Sequence, residues 1–431
     1  MAKLITLGKY YHKYKFILIY IATITPFYYL YFSDNKIRIP FLKDEHFPNP
    51  IVVYEIFRFF GKIIFGIIFY KIELGNILSG KERENMEEEE KNDKFKLIVY
   101  EERDQIPAVS IITMFLLLSP YLISFKLGQY LSYIGFHDID FYMAELLFVI
   151  LSKIFFFNTI IYLHQKLAMF IYLFFPIILE IIKVIIIFQD DKYKDLIFVE
   201  YPWTTALVIF IFLLIYFCQG YIVCKLKYYF DLRFISESKI LIIFGLLGTM
   251  IFLLWSLFAN FIECKNYTFS KKVCLIHDDE NQNSLYLDKF IVFFKNIWKE
   301  DRSNFINVMY ILLLIIKISL SAFQFFLVFL IIKVLGPEYY ILSETLVKFF
   351  LNIIHFIYYI FSGNFTINIF LSLLAEIFCV FGISIYLELI ELNFCGLNKN
   401  ITKNINLRAE AEALEMFKQE DDDKSDEDEK D

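Results

Sequence analysis

The block Ile240–Ile262, ILIIFGLLGTMIFLLWSLFANFI, carries no charged side chain over a length that crosses the hydrocarbon of a bilayer as one helix. Several blocks of similar character recur along the chain. In lipid every backbone N–H and C=O must find its partner inside the protein, which leaves helices as the natural form for such runs. The expectation is therefore an all-α, polytopic integral membrane helical bundle with about ten transmembrane helices. Composition agrees: 58% of the residues are hydrophobic and mean hydropathy is +0.54, against roughly 45–50% apolar content in soluble domains. The abundance of Phe (52) and Tyr (30) reads as codon usage of an A/T-rich genome, not as a binding surface. The net charge of −7 is concentrated in Glu82–Glu90 and Glu420–Asp431.

The N-terminus holds Lys3, Lys9, Lys13 and Lys15 before the apolar run Phe16–Phe32. By the positive-inside rule this places the N-terminus in the cytoplasm, as a retained signal anchor, with Ser33–Pro50 outside. Ile51–Tyr70 carries Glu55, Arg58 and Lys62 on one helical face, which fits either an interfacial helix or a spanning helix whose charged stripe faces the bundle. The spanning form is preferred because Lys71–Arg103, with its acidic run, reads as a solvated cytoplasmic loop.

Further spans are expected at Ile106–Phe125, Met143–Leu163 and Leu167–Phe188, the last two forming a hairpin about a tight His164–Lys166 turn. Pro176 marks a kink in the second arm. Thr204–Cys224 leads to a loop rich in Lys225, Lys227, Arg233 and Lys239, the clearest positive-inside signal. Asn307–Leu335, Leu346–Ser362 and Ile367–Ile390 complete the set, with both termini cytoplasmic. The chain divides into 1–70 (basic N-terminus and two membrane segments), 71–105 (charged cytoplasmic loop), 106–262 (helices three to seven), 263–304 (extracytoplasmic loop), 305–390 (helices eight to ten) and 391–431 (acidic cytoplasmic tail).

The 263–304 loop carries the compartment signals. Cys264 and Cys274 are a candidate disulfide, and Asn266 heads an N-x-T sequon as a candidate glycosylation site. Together they point to the secretory pathway or plasma membrane. Leu285–Trp298 reads as an interfacial helix on the outer surface, anchored by Trp298.

Ionisable residues within the spans are costly in hydrocarbon, about 2.5–3.5 kcal/mol on insertion scales, unless paired or hydrated. Lys153, Glu180, Lys183, Lys317, His355 and Glu376 are the transport-path candidates on that ground. Glu180 and Lys183, one turn apart, suit each other, so Lys153 needs a partner on the facing arm of the hairpin. His355 and Glu376, on consecutive spans, suit a proton relay. The bland alternative for each is a structural ion pair or a packing residue.

No P-loop, GxGxxG, HExxH or GxSxG occurs, so nucleotide-driven transport and common hydrolase mechanisms have no support, and no cofactor is implied. His137, Asp138 and Asp140, like His277, Asp278, Asp279 and Glu280, read as solvated loops without structural-zinc spacing. Cys224 and Cys395 lie where S-acylation occurs but read as apolar fillers, as do Cys218 and Cys379.

The run Leu387–Asn398, LELIELNFCGLN, resembles a box at the end of multi-pass membrane proteins from lower eukaryotes with A/T-rich genomes. The resemblance implies membership of a membrane family and no particular chemistry. The function expected is passive or secondary transport of a lipid, ion or small solute, with membrane lipids as partners and no nucleic acid. The alternatives are a receptor or assembly scaffold using the 263–304 loop, with a cytoplasmic protein docked on the acidic tail, and a membrane-embedded transferase using His137, Asp138 and Asp140. Transport predicts that Lys153, Lys183 and Glu376 share a cavity. A scaffold predicts that they are paired off and buried.

Overall fold

A computed structural model describes residues 14–25, 51–84, 144–189, 202–233, 235–259, 303–362, 366–393 and 404–409, three short pieces of the 263–286 segment, and positions 118, 294, 298, 397 and 401. The helices are α1 (Tyr14–Thr25), α2 (Ile51–Glu84), α3 (Ala144–Phe157), α4 (Leu163–Gln189), α5 (Pro202–Arg233), α6 (Glu237–Ala259), α7 (Asn304–Val334), α8 (Pro337–Phe361) and α9 (Ile367–Tyr386). Six of them, α4 to α9, are long and apolar enough to cross a membrane, so the chain is a helical, multi-pass membrane protein. That number replaces the expected ten. The expected span at 106–125 lies outside the described residues apart from Leu118.

Their outer surfaces match that reading. On α4, Phe170, Phe174, Phe175, Ile177, Ile178, Ile181, Ile182 and Ile185 are all exposed, a continuous apolar flank that water would not tolerate and lipid would.

The tightest helix pairs are α2 with α6, α4 with α9, and α3 with α5. Each is closed where one helix carries a glycine against the other's surface. A Cβ at Gly382 would fall 2.9 Å from the Tyr172 Cα, and one at Gly248 would fall 2.0 Å from the Phe59 ring. Gly220 approaches the Phe148–Val149 backbone in the same way. Two apolar cores result. One joins α1, α3, α4, α8 and α9 around Tyr20, Tyr172 and Cys379; the other joins α2, α5, α6 and α7 around Phe59, Phe244 and Phe329.

Several boundaries depart from the sequence reading. The expected 143–163 helix stops at Phe157, because Asn158 takes a left-handed backbone (φ 50°) and the Thr159 N–H bonds back to the Lys153 carbonyl. The turn of the hairpin is therefore 158–162, and His164, Gln165 and Lys166 already belong to α4. The 225–239 stretch is not an extended loop: α5 continues to Arg233, and its basic residues ride on helix. Helix α8 begins at Pro337 and not at Leu346, since Pro at the first helical position needs no N–H partner and Gly336 supplies the turn at φ 124°. The last span ends at Tyr386, four residues early.

The 263–286 segment forms a three-stranded antiparallel sheet in the order β1 (Glu263–Cys264), β3 (Asn281–Tyr286), β2 (Ile276–Asp278). Leu285 and Tyr286 are thus strand residues and not the start of an interfacial helix; helical bonding reappears between Phe294 and Trp298. Cys264 lies on β1, while Cys274 and Asn266 lie outside the described residues, as do His137, Asp138, Asp140 and Cys395.

The charged stripe of α2 faces the bundle. Glu55 and Lys62 are buried, Arg58 bonds Glu55 at 3.0 Å, and the Lys62 ammonium lies 3.5 and 3.4 Å from the Phe59 and Phe325 ring centres. This is the geometry of a helix packed inside the bundle, and not of one lying on a membrane surface.

Candidate functional site: a vestibule and a polar seam

The N-termini of α4, α6 and α8 and the C-termini of α3, α5, α7 and α9 meet at one end of the bundle. Contacts there bind the end together: Lys227 donates to the Lys333 carbonyl at 2.7 Å, and Lys333 pairs with Glu237 at 2.9 Å. Glu73 of α2 joins this group. Burial holds its carboxyl above the ordinary range, with Glu237 adding repulsion, while the Ser238 hydroxyl, Lys333 and the Ser236 hydroxyl pull the other way.

Beside this group lies a cavity of about 550 Å³ lined by residues of α1, α3, α4, α8 and the turn after α9. Its polar wall is made of Tyr14, Lys153, Gln165, Glu338, Tyr339, Tyr386, Glu388 and Glu391, and its apolar rim includes Ile160 and Leu389. Lys153 is ion-paired with Glu338 across the cavity. That corrects the expected partner on the facing hairpin arm: α4 offers no carboxylate at this depth, whereas the early start of α8 brings Glu338 to it. Glu388 reaches the buried His164, 3.3 Å from its Nε2.

From the vestibule a polar seam runs between α4, α8 and α9. After the His164–Glu388 contact come Tyr172, whose hydroxyl lies 3.5 Å from that of Thr345, and Cys379, whose thiol faces the Tyr172 carbonyl at 3.8 Å. Next is Glu376, accepting from the Asn352 amide at 3.3 Å. Beyond it Lys183 donates to Glu180 at 3.1 Å and to the Ser372 hydroxyl at 2.9 Å. The spacing from Glu388 to Ser372 corresponds to about 24 Å of helix at 1.5 Å per residue. Glu180, Lys183 and Glu376 are all buried.

The structure therefore brings Glu180, Lys183 and Glu376 onto one seam and places Lys153 at its mouth. His355 is half-buried on α8, one turn beyond Asn352, and the contact to Glu376 comes from Asn352. Lys317 lies on α7, which packs against α2, α5, α6 and α8. Sequence reasoning passed over Glu338, Glu388, Asn352 and His164. The first two read as loop and juxtamembrane residues, and only their proximity to Lys153 and His164 in space gives them weight. A further network, Glu145 to Gln219 to Tyr340, ties α3, α5 and α8 behind the vestibule.

Comparison with known proteins gives no match: no family model, no curated protein and no solved structure resembles the chain significantly.

Proposed function

We propose that the protein is a passive or secondary carrier for a small polar or headgroup-bearing molecule, which enters at the vestibule and passes along the α4–α8–α9 seam. The observation that supports this is the continuity of polar groups from Glu388 and His164 through Tyr172 and Glu376 to Lys183, in a bundle whose outer face is apolar. Buried polar groups in hydrocarbon cost free energy and mark pathways more often than packing. In this arrangement the vestibule is open and the seam is closed, its charges held by neighbours until a ligand or a helix movement replaces them.

The vestibule end is assigned to the cytoplasm, because Lys225, Lys227, Lys239 and Lys333 gather there. Helix α2 is counted as a seventh span: its stripe of charge is buried against α6 and α7, which removes the reason to lay it in the interface.

The test is flux of lipid and of ions in proteoliposomes holding the parent, Lys183→Ala or Glu376→Gln. The parent is expected to conduct one class above protein-free vesicles, and the variants to fall toward that background with their thermal midpoints measurable. A folded parent that moves neither class overturns the carrier reading. The scaffold reading would then stand first, since Glu180, Lys183 and Glu376 have partners within the bundle, and its test is loss of partner binding on removing the 263–304 loop.

A further inference from the structure

We propose that the vestibule selects an amphiphile whose headgroup carries an ammonium, held by Glu388 and Glu391 against the Tyr14, Tyr339 and Tyr386 rings, with its tail leaving over Ile160 and Leu389. This names the substrate class of the site described above and rests on the carrier reading only for what happens after binding.

Charge decides the sign of the headgroup. Three carboxylates, Glu338, Glu388 and Glu391, line the cavity against one ammonium, Lys153, and that ammonium is held by Glu338. An anionic headgroup entering here meets net negative charge in a partly desolvated space, where Coulomb repulsion is weakly screened. An ammonium meets carboxylates and the negative faces of tyrosine rings, the combination that recognises organic cations.

The rim decides the rest of the molecule. Ile160 and Leu389 line the same cavity yet remain 79% and 43% exposed, with Leu163 (59%) beside them on the outer surface. A purely polar solute gains nothing from such a lip. A hydrocarbon tail, lying over it into the surrounding lipid, removes it from contact with water. The volume suits a headgroup with the first part of a chain.

The backbone supplies an independent reason to single out Glu388. Among the described residues, two non-glycine positions have positive φ, Asn158 (50°) and Glu388 (59°), and they flank this one cavity from opposite sides. Glu388 sits where helix α9 turns out of its axis: the Leu389 N–H bonds the Ser384 carbonyl at 2.9 Å, the closure that ordinarily places glycine at this position. A side chain there costs about 1 kcal/mol, and a carboxylate at this point projects into the vestibule. Local strain of this kind concentrates at ligand sites.

The experiment is equilibrium binding of two fluorescent probes of equal chain length to the full chain in detergent, a long-chain primary amine and the matching carboxylic acid. The amine is expected to saturate at least about tenfold more tightly than the acid, the scale of one charge-assisted contact. Glu388→Gln and Glu388→Gly should each weaken the amine by about tenfold, and the glycine variant, which relieves the backbone, should keep or raise the thermal midpoint. An acid that binds as tightly as the amine overturns the proposal without any variant. So does amine binding unchanged in both variants. Binding is read without transport: amine that binds but is not moved in proteoliposomes defeats the carrier reading alone, whereas flux of an uncharged solute that the amine does not inhibit defeats this assignment alone.

Discussion

The two cores of the bundle bury cations in opposite ways. On the α4–α9 side, Lys183 is held by a carboxylate and a hydroxyl, Glu180 and Ser372. On the α2–α6–α7 side, Lys62 is buried between the faces of Phe59 and Phe325, and its ammonium makes no hydrogen bond among the described residues. A desolvated cation–π contact is worth about 2 kcal/mol or more, but it has no geometry that a third group can take over. A hydrogen-bonded pair can exchange partners. The difference teaches where movement is permitted: the α4–α9 side is built of contacts that a ligand can replace, and the other side of contacts that fix helices in place.

The comparison is broken most decisively by removing counter-charges. Glu180→Leu leaves Lys183 buried with only Ser372, and should cost about 3–5 kcal/mol in a denaturation series in detergent. The double variant Glu180→Leu, Lys183→Met should return most of that loss. Gly382→Ala, which drives a methyl onto the Tyr172 backbone, should cost about 1–3 kcal/mol and separate α9 from α4. Lys62→Met keeps the volume between the two rings and strands no carboxylate, because Glu55 retains Arg58, so its stability should stay within about 1.5 kcal/mol of the parent. If Lys62→Met destabilises as much as Glu180→Leu, the distinction between the two sides collapses.

The smallest expected effect is set by pH. Glu73 has a raised pKa, so its favourable contribution is complete below the ordinary glutamate value and is lost as pH rises through the raised one. Glu73→Gln should therefore melt with the parent near about pH 4 and above it at pH 7.5, in a thermal scan at both values. Coincident midpoints at both values would remove the strain from this corner of the bundle.

The apolar runs that became α4, α6 and α7 were legible in the sequence because hydrocarbon length and absence of charge leave one solution. The stop at Phe157 was not, since the apolar run continues past it to Leu163 and a left-handed Asn158 leaves no periodic mark. Nor was the start of α8 legible, where Glu338, Ser343 and Glu344 look like loop composition but are buried in the bundle end, beneath neighbours remote in sequence. The candidate site was half legible for the same reason. Charges inside apolar runs announced Lys153, Lys183 and Glu376. Their partners across helices, Glu338 and Asn352, are set by packing that no local pattern encodes.

The pairing of α4 with α9 has a consequence for how the chain is made. Roughly 180 residues separate Gln189 from Ile367, so at about 5–20 residues per second α4 waits on the order of 10–40 s for the helix that covers it. Glu180 and Lys183, three residues apart, neutralise each other without any outside help during that interval. The Ser372 hydroxyl is added only when α9 arrives. A self-sufficient ion pair is thus what allows a helix with two charges to be laid down early in lipid and completed late.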